Sequence, residues 1–308
     1  MKSLVGKVAV VAGGTRGCGR AIAVTLGEAG ATVYVTGRST KGSPSDIGRL
    51  ETIEETAELV NKRGGVGIPV RVDHSNPEEV KALFERVGHE QNGQLDILIN
   101  DIWGGDHLTD WGKPMWEHSL ENGILMQQRA IYTHIHTSYY GLPLMVKNGR
   151  GLLVEITDGV GYWYRGSFFY SLAKISVCHM AQALAEELRP HGITAVAVSP
   201  GFLRSEQMLD HFGVTEQNWR DATAQEPHFI ESETPYYVAK GIAALAADPN
   251  VAARSGQMLT SWYLADEYGI SDVDGRSPHW GNYARAQDIY KHLSAEEQQL
   301  MLSGPRRL

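Results

Sequence analysis

The chain is poor in features that mark several protein classes, and each shortage narrows the reading. Two cysteines, Cys18 and Cys178, in 308 residues leave no material for a disulfide framework and fit a reducing compartment. Lys and Arg number 28 against 36 Asp and Glu, for a net charge of −8, and no strong basic run breaks the deficit. Nucleic acid is therefore not expected as a partner, because neutralising phosphates needs a basic face. No uninterrupted apolar stretch approaches membrane-spanning length. Met1 and Lys2 lead straight into an apolar strand, without the apolar core and cleavage site of a secretory leader. No membrane partner is expected, and the cytoplasm is the expected location. Internal repeats and low-complexity tracts are also lacking.

What is present is an alternation of short apolar runs with helical periodicity. Strands are expected at Lys7–Ala12, Thr32–Thr36, Gly67–Val72, Leu95–Asn100, Leu152–Ile156 and Ile193–Ser199, with a short one at Gln257–Thr260. Helices are expected from the first glycine cluster to Gly30, then at Leu50–Arg63, Pro77–Glu90, Ser119–Lys147, Phe169–Arg189 and Thr234–Ala247, the last with Thr234 as cap and Pro235 in its first turn. Strand and helix in turn imply right-handed crossovers and a doubly wound parallel α/β sheet, with helices on both faces. The length suits a single domain over residues 1–260, carrying a substrate-side insertion at 201–233. Residues 261–308 form a C-terminal extension too aromatic for plain disorder, expected to pack on the domain or on a neighbouring subunit. The Gly/Ser/Pro-rich loop 37–48, the Trp- and His-bearing loop 102–117 and the insertion all follow strand ends, where ligands bind in open α/β sheets.

The first strand runs into Gly13-Gly14-Thr15-Arg16-Gly17-Cys18-Gly19 and then a helix. Small residues there permit a tight turn and close approach of a pyrophosphate to the helix N-terminus, so Gly13, Thr15, Arg16, Gly17, Cys18 and Gly19 are candidate dinucleotide contacts. A thiolate at Cys18 would be favoured by the helix end, although a small packing residue is the simpler reading. The second strand ends in Thr36-Gly37-Arg38-Ser39, without the acidic residue that would hold an NAD ribose. Arg16 and Arg38, with Ser39, instead suit a 2′-phosphate, which favours NADP(H). Further on, Tyr170 and Lys174 stand four residues apart, one turn on a common helix face, as a phenol and ammonium that can handle a proton. A positive charge there would pull the phenol toward its ionised form.

Taken in order, the glycine turn, Asp73, Asn100, Tyr170 with Lys174, and Pro200-Gly201 with Ser205 resemble the short-chain dehydrogenase/reductase family over about residues 5–260. Gly37-Arg38-Ser39, Thr52-Ile53-Glu54-Glu55-Thr56 and Glu186-Glu187-Leu188-Arg189 with Gly192 look most like its branch of dehydrogenase/reductase member-one-like proteins. The resemblance implies a Rossmann-type cofactor site in which Asp73 contacts the adenine and Asn100 lines the cleft. It also implies that Tyr170 exchanges the proton and Lys174 holds the nicotinamide ribose while lowering the phenol's pKa. Ser205, standing where the family usually has Thr, would bond the carboxamide beside Phe202 and Leu203. A homodimer or homotetramer, assembled through helix faces such as Phe169–Arg189, is likewise implied.

Three departures accompany the match. Asn100-Asp101-Ile102-Trp103 replaces the family's Asn-Asn-Ala-Gly, so that loop is expected to differ in shape. The relay Asn aligns with Ala130. Asp158 stands where the family has its catalytic Ser, with Thr157 before it. An ionised Asp accepts hydrogen bonds where Ser donates, and its charge raises a nearby phenol's pKa. Three outcomes are open: a protonated Asp158 that donates, an ionised one that accepts from substrate, or Thr157 turning in as the hydroxyl; the first two make Asp158 substrate-facing. His134 and His136, two apart on a helix, do not make a metal pair, and no metal is expected. Trp103, Trp111, Trp116, Tyr162, Trp163, Tyr164, Phe168 and Phe169 either line an aromatic pocket or pack a lid and interface. The functional expectation is an NADPH-dependent oxidoreductase acting on a small carbonyl or alcohol. The alternative is a catalytically impaired nucleotide-binding sensor or interaction protein on the same scaffold.

Overall fold

Runs such as Val8-Ala9-Val10-Val11-Ala12 have no polar face to offer water and must be covered on both sides. In a computed structural model they do so within one sheet. The structure describes residues 2–45 and 47–303; Met1, Asp46 of the expected loop and residues 304–308 of the expected extension lie outside them. Strands β1 Val8–Ala12, β2 Thr32–Gly37, β3 Val66–Arg71, β4 Ile97–Asn100, β5 Gly151–Ile156, β6 Ile193–Ser199 and β7 Met258–Thr260 are ordered β3-β2-β1-β4-β5-β6-β7. All neighbours pair in parallel, as a doubly wound sheet requires. The order reverses between β1 and β4, which opens a crevice beyond their carboxyl ends.

Alternate residues of β1 serve opposite cores. Ala9 and Val11 join Ile22, Leu26, Val60 and Ile242 beneath α1 Gly17–Glu28, α2 Ile53–Lys62 and α8 Pro235–Ala247. Val8 and Val10 join Leu83, Phe84, Leu98 and Met145 beneath α3 Pro77–Glu90 and a long rod that ends at Asn148. Pro69 sits in β3, an edge strand, where its missing N–H leaves no interior ladder broken.

Several boundaries move for local reasons. The Thr52 hydroxyl accepts from the Glu55 amide at 3.2 Å, so α2 starts at Ile53 and not at Leu50. The expected helix 119–147 is a rod in three parts: α4 Leu120–Gln127, a π turn Gln128–Tyr132, and α5 Thr133–Asn148. Gly149, at φ 65°, ends it. Thr234 does stand before Pro235, but its hydroxyl donates to Asp272 at 2.5 Å and caps nothing.

The insertion contains α7 Glu206–Phe212. Arg204, only 1% exposed, anchors it by donating to Glu216 and Asp274 while stacking 4.3 Å over Trp219. Beyond β7 the chain forms α9 Ser261–Tyr268, α10 Trp280–Ala286 and α11 Ala295–Ser303. This extension folds onto its own domain, with Trp280 edge-on to Phe202 at 5.6 Å and Tyr290 against Trp163 at 6.0 Å. Helix α6, Phe168–Leu188, carries Tyr170 and Lys174, and its first turn packs under α4. That contact depends on Gly123, where a Cβ would meet the Phe169 ring at 2.3 Å. Gly123→Ala is expected to cost about 1–3 kcal/mol of stability through overpacking, read as a lowered melting temperature.

Candidate active site

One cleft of about 540 Å³ opens at the strand reversal, bounded by the glycine turn, the loops after β4, β5 and β6, α7, and aromatic residues of the extension. Of the expected site residues, all but Gly19, Asp73 and Asn100 line it. Gly13 comes so close to the β4 loop that a Cβ would lie 2.3 Å from the Asp101 carbonyl. Gly17 adopts φ 55° with open space where a Cβ would project. These are the features a dinucleotide's pyrophosphate needs, a bare backbone at a helix N-terminus. Beside it Arg16 donates to Ser39 at 3.3 Å and Ser45 at 3.2 Å, while Arg38 lies exposed across the β2 end. No acidic residue ends β2, and the bare glycine turn fits a nicotinamide dinucleotide.

Three expected contacts are placed otherwise. Gly19 lies behind the turn, where a Cβ would strike the Gly13 carbonyl at 2.2 Å, and serves its packing. Asp73 is turned to its own loop, accepting from the Ser75 amide at 2.9 Å and hydroxyl at 2.6 Å. Asn100 is wholly buried behind the cleft wall, donating to Ser138 at 3.0 Å and Glu155 at 2.8 Å. Glu155, also fully buried, meets His134 Nδ1 at 2.5 Å, and His134 Nε2 lies 3.0 Å from the Ile102 carbonyl. His134 is therefore a core residue that braces the β4 loop. Among the described residues no cluster of three His, Cys, Asp or Glu can hold a metal ion.

At the inner end of the cleft the Tyr170 hydroxyl donates to Asp158 Oδ2 at 2.5 Å. Thr157 does not turn in: its buried hydroxyl donates to the Lys174 carbonyl at 2.9 Å. Arg165 fixes the loop that presents Asp158, donating to the carbonyls of Asp158 at 2.6 Å, Gly161 at 3.0 Å and Trp163 at 3.1 Å. Lys174 Nζ lies 3.8 Å from the Trp103 ring centre and 5.6 Å from that of Tyr170. Trp103 and Trp111 also pack on Tyr170 at 5.5 and 5.0 Å. The aromatic set divides here. Trp163 and Phe169 are buried, whereas Trp111, Trp116, Tyr162, Tyr164 and Phe168 stay exposed.

The electrostatics reverse one expectation. Burial first, then the Asp158 charge and hydrogen bond, hold the Tyr170 phenol well above its ordinary value, and the lowering charge of Arg165 does not offset them. Burial lowers the Lys174 ammonium against the attraction of Asp158, Asp106 and Asp101. The Cys18 thiol is pushed well up by burial and the nearby Asp101, Glu233 and Glu206, so no thiolate forms at this helix end. Four contributors escaped the sequence reading. Asp101, raised to about 7 by burial, lies in the β4 loop whose departure from the family pattern was visible. Arg165, Glu206 and His74 left no local signal. His74 lines the cleft between the Thr36 and Thr137 hydroxyls, at 2.8 and 2.7 Å.

A family model described as short chain dehydrogenase matches residues 7–213. The chain belongs to the short-chain dehydrogenases, oxidoreductases that work with nicotinamide cofactors. Its relatives agree with the branch expected from residues 37–39, 52–56 and 186–192. Dehydrogenase/reductase SDR family member 1 of Mus musculus is 37% identical over 275 residues, covering 88% of this chain and 84% of that protein. The Homo sapiens protein of the same name is 35% identical over 293 residues, covering 94% and 90%. A crystal structure of a short chain dehydrogenase from Mycobacterium thermoresistibile shares the fold with a TM-score of 0.75 at 23% identity, covering 90% of this chain and 92% of that one.

Burial lowers His74 to about 3, so it is neutral in the folded chain and charges only on unfolding. A depressed His pKa means that the unfolded state binds the extra proton first. Its contribution to stability is present above about 6.5 and is lost as pH falls from there toward 3. Denaturant titrations across that window are expected to show a shallower acid loss for His74→Gln than for the native chain.

Proposed function

We propose that the protein is an NADPH-dependent oxidoreductase that interconverts a small carbonyl compound and its alcohol, with Tyr170 as the general acid and base. The observation that carries this reading is the 2.5 Å bond from the Tyr170 phenol to Asp158 at the floor of the cleft, with Lys174 one turn along the helix. NADP(H), when bound, supplies or accepts the hydride. Gly13, Thr15, Gly17 and Cys18 bind its pyrophosphate, Arg16, Arg38 and Ser39 its 2′-phosphate, and the Pro200-Gly201-Phe202-Leu203 loop with Ser205 its nicotinamide end. The cleft walls support that placement, and Glu233 steadies the loop by accepting from the Gly201 amide at 3.0 Å and the Ser261 hydroxyl at 2.5 Å.

Asp158 gives the proton chemistry its particular form. A carboxylate accepts and cannot donate, so it cannot hold a substrate carbonyl as Ser does. It takes the Tyr170 proton instead. In alcohol oxidation the substrate hydroxyl passes its proton to the Tyr170 oxygen as the phenol passes its own to Asp158. In carbonyl reduction Tyr170 protonates the substrate oxygen and draws a replacement proton from water through the exposed Asp158. Trp103 and Trp111 wall the site around Tyr170, which suits a flat or apolar substituent on the reacting carbon.

Assembly and location are proposed on separate grounds. Leu120, Ile124, Ile135, Tyr139, Phe168 and Leu172 are all exposed on α4, α5 and α6, an apolar helix face that supports a homodimer or homotetramer. Both cysteines are free, which supports the cytoplasm, and no described helix is long and apolar enough to cross a membrane.

Screening carbonyls and alcohols with NADPH and NADP tests the assignment. Tyr170→Phe is expected to abolish turnover, and retained activity would sink the mechanism. Asp158→Ser removes the carboxylate that takes the phenol's proton, so oxidation then depends on the Tyr170 phenolate, which burial still holds high, and is expected to switch on only at higher pH than in the native chain. An unchanged turnover and pH profile in both Asp158→Ser and Asp158→Ala would remove Asp158 from the chemistry. Arg16→Ala with Arg38→Ala is expected to raise KM for NADPH about tenfold or more, with little change for NADH, since each lost charge-assisted bond is worth about 1.5–3 kcal/mol.

A further inference from the structure

The glycine turn of this chain already carries an anion of its own. Glu206, the first residue of α7, brings Oε2 to 3.0 Å from the Gly17 amide, a donor in the first turn of α1. One helical turn further, Asp210 accepts from Arg49 at 2.8 Å. Arg49 also forks onto Glu51, which lies 3.8 Å from Arg16 Nε. Two carboxylates at i and i+4 on one short helix therefore reach the backbone donor of the glycine turn and the arginine cluster beside Arg16. Those are the two places where a phosphorylated dinucleotide brings its charge, a statement that rests on the cofactor reading above.

We propose that Glu206 is a built-in stand-in for the pyrophosphate, which the cofactor must expel to bind. One N–H donates one good hydrogen bond, so a carboxylate and a phosphate oxygen compete for Gly17. Left in place, the carboxylate would also repel the pyrophosphate across a short gap poorly screened by water. The helix that carries it is suited to yielding. It has seven residues, none fully buried, and is bounded by the Ser205 cap and by Gly213 at φ 67°. Its apolar residues Met208, Leu209 and Phe212 rest on the small Trp219–Phe229 cluster, apart from the two cores of the sheet. Met208 and Gln207 also line the cleft, so expelling Glu206 reshapes the wall that a substrate meets. Cofactor binding and the shape of the substrate side are coupled through one carboxylate.

Isothermal titration of the full chain with inorganic pyrophosphate, and separately with NADPH, tests the proposal in Glu206→Gln and Glu206→Ala. Both variants are expected to bind pyrophosphate about fivefold or more tightly than the native chain, a factor worth about 1 kcal/mol, and NADPH is expected to follow in the same direction. Pyrophosphate binding that is unchanged, weaker or undetectable in both variants overturns the proposal, because the carboxylate would then be a strut that supports the turn. NADPH binding to the native chain with no gain in either variant has the same consequence and leaves the cofactor reading standing. Tighter pyrophosphate binding in a chain that never takes NADPH upholds the stand-in and sinks the dinucleotide assignment instead.

Discussion

The Tyr170 phenol has one hydrogen bond to donate, and the Asp158 carboxylate accepts it at 2.5 Å. Most of the surrounding architecture can be understood as holding that pair in register. Arg165 gathers three carbonyls of the loop after β5, which fixes the backbone from which Asp158 projects. Thr157 ties the same strand end to α6 through the Lys174 carbonyl, so the loop and the helix cannot drift apart. Trp103 fills the space on the remaining side, sandwiched between the Lys174 ammonium and the Asp106 carboxylate that accepts from its indole N–H.

A second layer lies behind this one. Asn100, Ser138, Glu155 and His134 share hydrogen bonds between β4, β5 and the long rod. These bonds lock the ends of two central strands to the helix that crosses them, and of the network's oxygens the buried Asn100 Oδ1 has no partner. The cleft thus has a stiff floor on the β4–β5 side. Its opposite side, built from α7 and the C-terminal helices, rests on Arg204 and on aromatic edges.

What the sequence disclosed follows from distance along the chain. The glycine turn, the lack of an acid at the end of β2, and the Tyr170–Lys174 spacing are local patterns, and the structure brings all three to one cleft. The doubly wound parallel sheet was legible for the same reason, since alternating strands and helices imply right-handed crossovers; the order of its strands came only with the structure. Asn100 was misplaced because its partners Ser138 and Glu155 lie 38 and 55 residues away. Of the two opposing influences read for Tyr170 the raising one prevails, because burial, which depends on the whole fold, adds to the carboxylate twelve positions upstream. Arg165, His74 and Glu206 had no pattern to announce them; only packing gives them partners.

The π turn at Gln128–Tyr132 has its own logic. Such a turn takes up one residue more than an α-helical turn, and so rotates everything beyond it by about 100° relative to an unbroken helix. His134 meets Glu155, and Ser138 meets Asn100, only because that extra residue is present. The rod is in effect two helices keyed to different surfaces, α4 to the first turn of α6 and α5 to the sheet. Shortening it by a single residue would not shift the site sideways; it would turn the brace behind it away from the strands it secures.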